Sequence, residues 1–303
     1  MAESEQRVAA PVTSAAGVIG LGDIGRGLAS TLLRGGVALS VCDVRSEATA
    51  PFGEGAHISG TPADLARRSD VVLVAVVDDA QVRDVLEGDD GVFAGASAGS
   101  SVVIVSTIST ATVRELREIG ARSGVVVLDC GVSGGPTAAA TGELVCMVGG
   151  TADEVEQVRP VLDVISCLVL HMGPPGAGLS AKLARNIVQY GSWLAAFEAQ
   201  ELAEAAGIDL IKLGQAIKES DKRIGGAATL MFRTTTLPWP PDTDPGMLAA
   251  FRAGSGLAHK DLAAARALGA ELGVALPLAT LTEARCDRIF GLDSDSQAVR
   301  GAG

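Results

Sequence analysis

The chain has 303 residues, 48% of them hydrophobic and only 3% aromatic, and a formal net charge of -12. That length accommodates two domains with a core of Val, Leu, Ile and Ala, while so acidic a surface repels phosphate backbones and argues against nucleic acid as a partner. No apolar run is long enough to span a bilayer, residues 1–14 lack a hydrophobic signal core, and the five cysteines (Cys42, Cys130, Cys146, Cys167 and Cys286) form no C-x-x-C pair; no membrane association, reduced thiols and a cytoplasmic location are therefore expected.

An apolar run at 16–20 predicts the first strand. A Gly-rich turn and an amphipathic helix follow, stopped by Gly35-Gly36. Further strands are predicted at 37–43, 71–76, 102–106 and 125–130, with helices at 79–87 and 111–123 between them. The alternation continues through a strand at 144–149, a helix at 153–164 and a strand at 167–170. Strands alternating with helices imply βαβ units and a parallel sheet. After Gly178 the period changes. One long helical stretch covers 179–206, and helices are predicted at 210–220, 258–272 and 279–290. The expected fold is α/β: a Rossmann-type parallel-sheet domain at 1–176, joined by a long helix to an all-α domain at 177–303. Residues 234–246, with several prolines and Trp239, are expected to form a loop. The tail after Asp293 is expected to fray.

Gly20-Leu21-Gly22-Asp23-Ile24-Gly25 follows the first strand and opens the first helix. Such a string alone also fits a plain turn, but this context is that of a dinucleotide site. Gly20 permits the tight turn, Gly22 admits a diphosphate to the backbone, and Gly25 lets helix and strand pack closely. The helix start offers N–H groups and a positive dipole end. About 20 residues on, at the end of the second strand, stands Asp43, placed to accept bonds from ribose hydroxyls and to repel a 2′-phosphate. NAD is therefore expected over NADP. Arg45 complicates the choice: it could pair with a 2′-phosphate, stack on adenine or face solvent.

Gly131-Val132-Ser133-Gly134-Gly135-Pro136 is read as a loop after the strand ending at Cys130. It offers backbone N–H groups and a hydroxyl to a carboxylate or oxyanion, although an isolated turn would look the same. Lys182 and Asn186 lie one turn apart near the start of the long helix, among apolar neighbours. A lysine there opposes the helix dipole, and burial would lower its pKa enough to exchange a proton with a hydroxyl or carbonyl oxygen. Taken alone, Lys182 also fits a solvated helix residue.

Four ordered motifs together resemble the β-hydroxyacid dehydrogenase family over residues 17–290. They are Gly17-Val18-Ile19-Gly20-Leu21-Gly22-Asp23-Ile24-Gly25, Val132-Ser133-Gly134-Gly135, Gly176-Ala177-Gly178 with Lys182 and Asn186, and Lys260-Asp261-Leu262. Members of that family include 3-hydroxyisobutyrate, tartronate-semialdehyde, 4-hydroxybutyrate and 6-phosphogluconate dehydrogenases. The resemblance implies a Rossmann domain followed by a helical domain, hydride transfer between NAD and a small 3-hydroxy acid or its semialdehyde, and a homodimer or homotetramer. It assigns Lys182 as general acid/base, Ser133, Gly134 and Gly135 to the acid group of the substrate, and Asn186 to its orientation. Thr107 would contact the cofactor near the nicotinamide, and Lys260 would close over the cofactor. No metal is expected.

The chain departs from the family pattern in four places. Cys130-Gly131 stand where Ala-Pro is usual, Ile104 where Asp is common, and Thr110 where a proline follows the Ser-Thr motif. Val76-Val77-Asp78-Asp79 replaces a Pro-containing loop. Each departure alters the rim of the pocket. Two other functions compete: an imine reductase-like NADPH enzyme, against which Lys182 and Asp43 argue, and a non-catalytic NAD-binding redox sensor. His57, His171 and His259 fit no metal or nucleophile pattern. Arg185, Arg233 and Arg252 are candidates for a second substrate anion, and Trp239 and Phe251 either line an entrance or merely pack.

Overall fold

The computed structural model describes residues 13–233 and 235–292. Residues 1–12 of the polar start and the tail after Asp293 lie outside the described residues. The chain divides into two compact units, Met1–Arg185 and Asn186–Gly303.

The first unit alternates strands and helices: β1 (Ala16–Ile19), α1 (Asp23–Arg34), β2 (Leu39–Cys42), α2 (Ser46–Thr49), β3 (His57–Ile58), α3 (Pro62–Arg67), β4 (Val71–Val74), α4 (Asp79–Glu87), α5 (Val92–Gly95), β5 (Ser101–Ile104), α6 (Thr110–Arg122), β6 (Val126–Ser133), α7 (Gly135–Thr141), β7 (Leu144–Gly149), α8 (Ala152–Ile165) and β8 (Ser166–Gly173). They form one eight-stranded sheet in the order β3-β2-β1-β4-β5-β6-β7-β8. The sheet is mostly parallel, as expected of a Rossmann-type domain; the one reversal is β7, which runs antiparallel to β6. The reversal arises because the connection from β6 to β7 is only the short helix α7, too brief for a crossover.

The short parallel strands β1, β2, β4 and β5 are buried along their whole length, as strands covered on both faces must be. One face is packed by Leu28 and Leu32 of α1 and by Val158 and Leu162 of α8. The other receives Leu65 of α3, Val82 and Leu86 of α4, and Val113 and Leu116 of α6. Helix starts are fixed by side-chain caps: Thr61 for α3, Asp78 for α4, Ser109 for α6, and a capping box of Thr151 and Glu154 for α8. The helices α2, α3, α5 and α7 and the two-residue strand β3 were not anticipated from the sequence. All are short, and brief elements leave little periodicity to detect.

Helix α9 (Ala177–Ala205) begins in the first unit and continues into the second. The second unit otherwise holds α10 (Leu210–Ile224), α11 (Pro245–Leu272), α12 (Pro277–Glu283) and α13 (Cys286–Ile289). Among the described residues its regular elements are all helices, as expected. Helix α11 starts 13 residues earlier than the predicted 258. Proline was read there as a breaker, but Pro245 occupies the first turn, where its missing N–H costs nothing, and Asp244 caps the helix. The helix predicted at 279–290 is instead two short ones. Trp239 stacks on Phe251 at 5.1 Å and donates its indole N–H to the Phe290 carbonyl at 2.8 Å, so that pair packs within its own unit. Among the described residues, no helix is long and apolar enough to cross a membrane.

Candidate active site

The register of the sheet sets level the carboxyl ends of four parallel strands, Cys42 on β2, Ile19 on β1, Val74 on β4 and Ile104 on β5, with Asp129 of β6 beside them. The loops that follow them therefore emerge on one edge. The strand order reverses direction at β1, between β2 and β4, which is where open α/β sheets hold their ligands. Gly20 to Gly25, Asp43, Val76, Val77 and Thr107 all lie on that edge, just past the strand ends.

Gly20 has φ +85°, and a side chain there would meet the Ala75 carbonyl oxygen at 2.6 Å. A Cβ on Gly25 would lie 1.8 Å from the Gly20 oxygen, so α1 and the turn can touch only through glycine. Gly22 is different: nothing lies within 4 Å of its would-be Cβ. It caps α1 with no side chain bonded to the first N–H groups. An open glycine at an uncapped helix start fits a diphosphate. Leu21 is buried, whereas Asp23 is exposed in the first turn, where only its N–H could serve an anion.

Asp43 is the anchor of the second loop. Its Oδ2 accepts the Leu21 N–H at 2.6 Å, which ties it to the glycine turn. Its Oδ1 accepts the Arg45 N–H at 2.9 Å and Nε at 3.0 Å. Burial alone would push this carboxyl up, but Arg45 and the two backbone donors hold it below the usual 3.8. Arg45 is thus already paired with Asp43. A cavity of about 670 Å³ opens between these loops, lined by Gly20, Gly22, Asp43, Arg45 and the exposed Val44 and Val77. Three further acids, Asp84, Asp89 and Asp90, line it, and among the described residues Arg45 is its one cation. One hydroxyl and two carboxylates hold the rim that lacks the family proline. Ser106 Oγ accepts the Val76 N–H at 2.9 Å, Asp78 caps α4, and Asp79 accepts the Ser109 N–H at 3.2 Å. Thr107, one residue past Ser106, is exposed.

The Gly131-Val132-Ser133 string is strand, not loop. Strand β6 runs on to Ser133, four residues beyond Asp129. The antiparallel partner β7 extends the ladder there, with Ser133 opposite Val145, which a parallel sheet would not have done. Gly134, at φ +128°, and Gly135, at φ +72°, form the turn into α7. A Cβ on Gly131 would sit 2.5 Å from the Cβ of Lys182. Residues two apart share a face of a strand, so Gly131 and Ser133 present the same side to which Lys182 is packed. Lys182 is half-buried, and burial pushes its ammonium below the ordinary 10.5; the nearby Cys130 acts in the opposite direction. Cys130 is wholly buried, which pushes its thiol well above the ordinary value, and burial remains the decisive influence on Lys182.

Asn186 follows one turn later on α9 and belongs to the second unit, where it is half-buried. Lys260, on α11, is exposed and pairs with Asp261 at 3.2 Å. Of the other candidates, Arg233 stacks on Trp239 at 4.5 Å, His57 pairs with Asp64 at 3.3 Å, and His171 bonds the Gly150 carbonyl at 2.8 Å. Among the described residues, no cluster of three His, Cys, Asp or Glu could hold a metal. Sequence reasoning passed over Asp129, a wholly buried carboxylate within the run Val-Val-Leu-Asp-Cys-Gly. A lone acid inside an apolar strand was the available signal.

Two family sequence models match. The NAD binding domain of 6-phosphogluconate dehydrogenase covers residues 15–173, and the NAD-binding domain of NADP-dependent 3-hydroxyisobutyrate dehydrogenase covers 176–300. An uncharacterized oxidoreductase of Mycobacterium tuberculosis is 42% identical over 271 residues, 89% of this chain and 91% of that protein. The chain belongs to the β-hydroxyacid dehydrogenase family. An NAD-dependent L-serine dehydrogenase of Pseudomonas aeruginosa in this family is 32% identical over 73% of either chain. A solved 3-hydroxyisobutyrate dehydrogenase of M. tuberculosis with L-serine is 27% identical and superposes with TM-score 0.65, covering 91% of this chain and 94% of that one. An imine reductase of Myxococcus stipitatus with NAD+ reaches TM-score 0.72 at 24% identity, covering 91% and 93%, which is a likeness of fold. This β-hydroxyacid dehydrogenase relative is therefore an oxidoreductase with an NAD(P)-binding Rossmann-type domain.

Proposed function

We propose that the protein is an NAD-dependent 3-hydroxyacid dehydrogenase in which Lys182 is the general acid/base. The observation that carries this is the placing of a half-buried, pKa-lowered lysine against Gly131, on the strand that continues past the ligand edge of the sheet. The boundary we assign between nucleotide-binding and helical domains lies at residues 176 and 177.

In this proposal the residues from Gly20 to Gly25 hold the diphosphate through Gly22 and the start of α1. Asp43 accepts the ribose hydroxyls. The acids Asp84, Asp89 and Asp90, together with the prior engagement of Arg45 by Asp43, support NAD over NADP, because a 2′-phosphate would meet mostly negative charge. Thr107 borders the nicotinamide, and Lys260 closes on the cofactor. A bound nicotinamide supplies the hydride chemistry. Ser133, Gly134 and Gly135 bind the acid group of the substrate through a hydroxyl and N–H groups, and Asn186 orients it. Lys182 takes the proton from the hydroxyl as it is oxidised, or returns one to the oxygen on reduction. A lowered pKa serves that exchange, since a fully charged amine cannot accept a proton.

The substrate is a small hydroxy acid. The second unit exposes Ile187, Tyr190, Trp193, Leu194 and Phe197 along α9, which supports a second copy of the chain as partner and hence a homo-oligomer. A cytoplasmic location agrees with the free cysteines.

The test is a panel of 3-hydroxyisobutyrate, L-serine and L-threonate with NAD+ and NADP+, read by absorbance of the reduced cofactor. Turnover with NAD+ is expected, and Lys182→Ala should lower kcat by about 10²–10⁴-fold while sparing NADH binding. Near-normal turnover in that variant would refute the role of Lys182.

A further inference from the structure

We infer that Asp129 is a positioning residue: its buried carboxylate clamps the first turn of α9 to the sheet and so sets where Lys182 stands. The inference rests on Lys182 being the acid/base. Asp129 Oδ1 accepts the Gly176 N–H at 2.6 Å, and Oδ2 accepts the Leu179 N–H at 2.8 Å. Both are donors of a helix start, which have no partner within the helix. Leu179 lies three residues before Lys182. A helix rises about 1.5 Å per residue on a stiff ladder, so fixing the nitrogen of Leu179 fixes the backbone of Lys182.

The choice of residue is informative. An ordinary helix is capped by a Ser, Thr or Asp at its own N-cap, a local device that moves with the helix. Here the cap reaches across 47 and 50 residues of sequence, from a strand in the middle of the sheet. Burying a carboxylate wholly is costly unless several donors satisfy it. Its negative charge also suits the positive end of the helix. Such a cap resists any displacement of α9 relative to β6.

Three glycines bring the helix close enough for that cap to work. A Cβ on Gly178 would lie 2.3 Å from the Met147 oxygen and 2.8 Å from the Asp129 oxygen. A Cβ on Gly149 would lie 2.2 Å from Asp129 Oδ1, and one on Gly131 would lie 2.5 Å from the Cβ of Lys182. The start of α9 thus rests directly on the backbones of β6 and β7. Position and acidity are linked through this contact. Lys182 owes its lowered pKa to burial at this contact with β6 and β7. If the helix start loosens, solvent reaches the amine and its pKa climbs toward the ordinary value.

The experiment is a titration of Lys182 in the full chain, in wild type and in Asp129→Asn. An amide offers one acceptor oxygen and would turn an NH₂ toward the other donor. The chain has five lysines, and Lys182 is the one lysine in residues 1–185. Its ¹³C-dimethyl resonance is therefore readily assigned by its loss in Lys182→Ala. In Asp129→Asn the pKa is expected to rise by about half a unit or more. With NAD+ and L-serine or 3-hydroxyisobutyrate, kcat should drop by about 10–100-fold, as misplacing a catalytic group does, with NADH affinity unchanged. Thr151→Ala, which removes a cap from α8, is the stability control and should leave the Lys182 resonance in place. An unmoved titration in Asp129→Asn, or an equal shift in Thr151→Ala, overturns the inference. Should Asp129→Asn fail to fold, Gly131→Ala displaces the same turn from the other side, and an unmoved Lys182 there overturns it equally. Turnover surviving in Lys182→Ala would sink the proposed acid/base instead, and the titration would still report on the clamp.

Discussion

The two units bury their apolar surface in different ways. In the first, Leu28, Leu32, Leu73, Leu128 and Leu162 are wholly enclosed, and the sheet is covered on both faces by its own helices. In the second, among the described residues, the buried apolar side chains are Ala203, Leu276 and Cys286, while Trp193, Phe197, Ile211, Ile224 and Phe232 stand exposed. The second unit is the richer of the two in Leu and Ala, yet it presents an unfinished surface where the first makes a finished core. Apolar residues at helix spacing report that a face will be covered, and are silent on which chain covers it.

Core truncation should give the largest effect and stay confined to the first unit. Leu162→Ala removes a side chain with no exposure from the packed face under α8. About 2–5 kcal/mol of stability should be lost, measured by urea denaturation. A loss below about 1 kcal/mol would mean that this core is not close-packed. The matching change in the second unit is Trp193→Ser. Its ring is 59% exposed and meets Tyr190 edge-on at 5.2 Å. In an assembled protein that substitution should raise the dissociation constant by about 30-fold, as loss of a roughly 2 kcal/mol interface anchor does. Sedimentation across a range of concentrations measures it. Wild-type protein that stays monomeric at every concentration would break the contrast.

Next in size is cofactor choice, which depends on one carboxylate in the first unit. Asp43→Ser frees the Leu21 N–H and the Arg45 fork together. The ratio of kcat/KM for NAD+ over NADP+ should fall at least about tenfold, or about 1.4 kcal/mol. An unchanged ratio would transfer the selectivity to Asp84, Asp89 and Asp90.

The sequence revealed most where its signals are local. The glycine turn, Asp43, the strand expected at 71–76 and found at 71–74, and the strand at 144–149 could be read directly, since each combines a period with a breaker. Lys182 emerged from four motifs in order, not from its own surroundings. Asp129 was missed because its partners, Gly176 and Leu179, are far away in the chain and are backbone groups, which leave no mark in a sequence. The reversal of β7 was missed for a similar reason. A six-residue apolar run looks alike in either direction, and the deciding element, α7, is only seven residues long. In the second unit Pro245 was taken for a breaker although it begins a helix.

The smallest effect contrasts two ion pairs of like chemistry. In the first unit, Arg117 Nη2 meets Glu154 Oε1 at 2.6 Å, with side-chain exposures of 28% and 19%. In the second, Arg223 and Lys222 pair with Glu219 on an open helix face. Both carboxyls sit below their usual 4.5: Glu154 against the upward push of its burial, through Arg117 and the Thr151 N–H, and Glu219 through Lys222 and Arg223. The sign follows from that depression. A carboxyl whose folded pKa is lowered stabilises the fold above its unfolded value and stops doing so as pH falls through the folded value. The wild type should therefore be more stable than Glu154→Gln by about 1 kcal/mol at pH 7, with the difference shrinking once the pH drops below about 4.5. Glu219→Gln should leave the unfolding midpoint unmoved at either pH, because water and salt screen an exposed pair. Thermal melts of the three proteins at pH 7 and pH 4 provide the comparison. A Glu154→Gln difference that grew on acidification would reverse the sign and place the stabilising proton on the folded state.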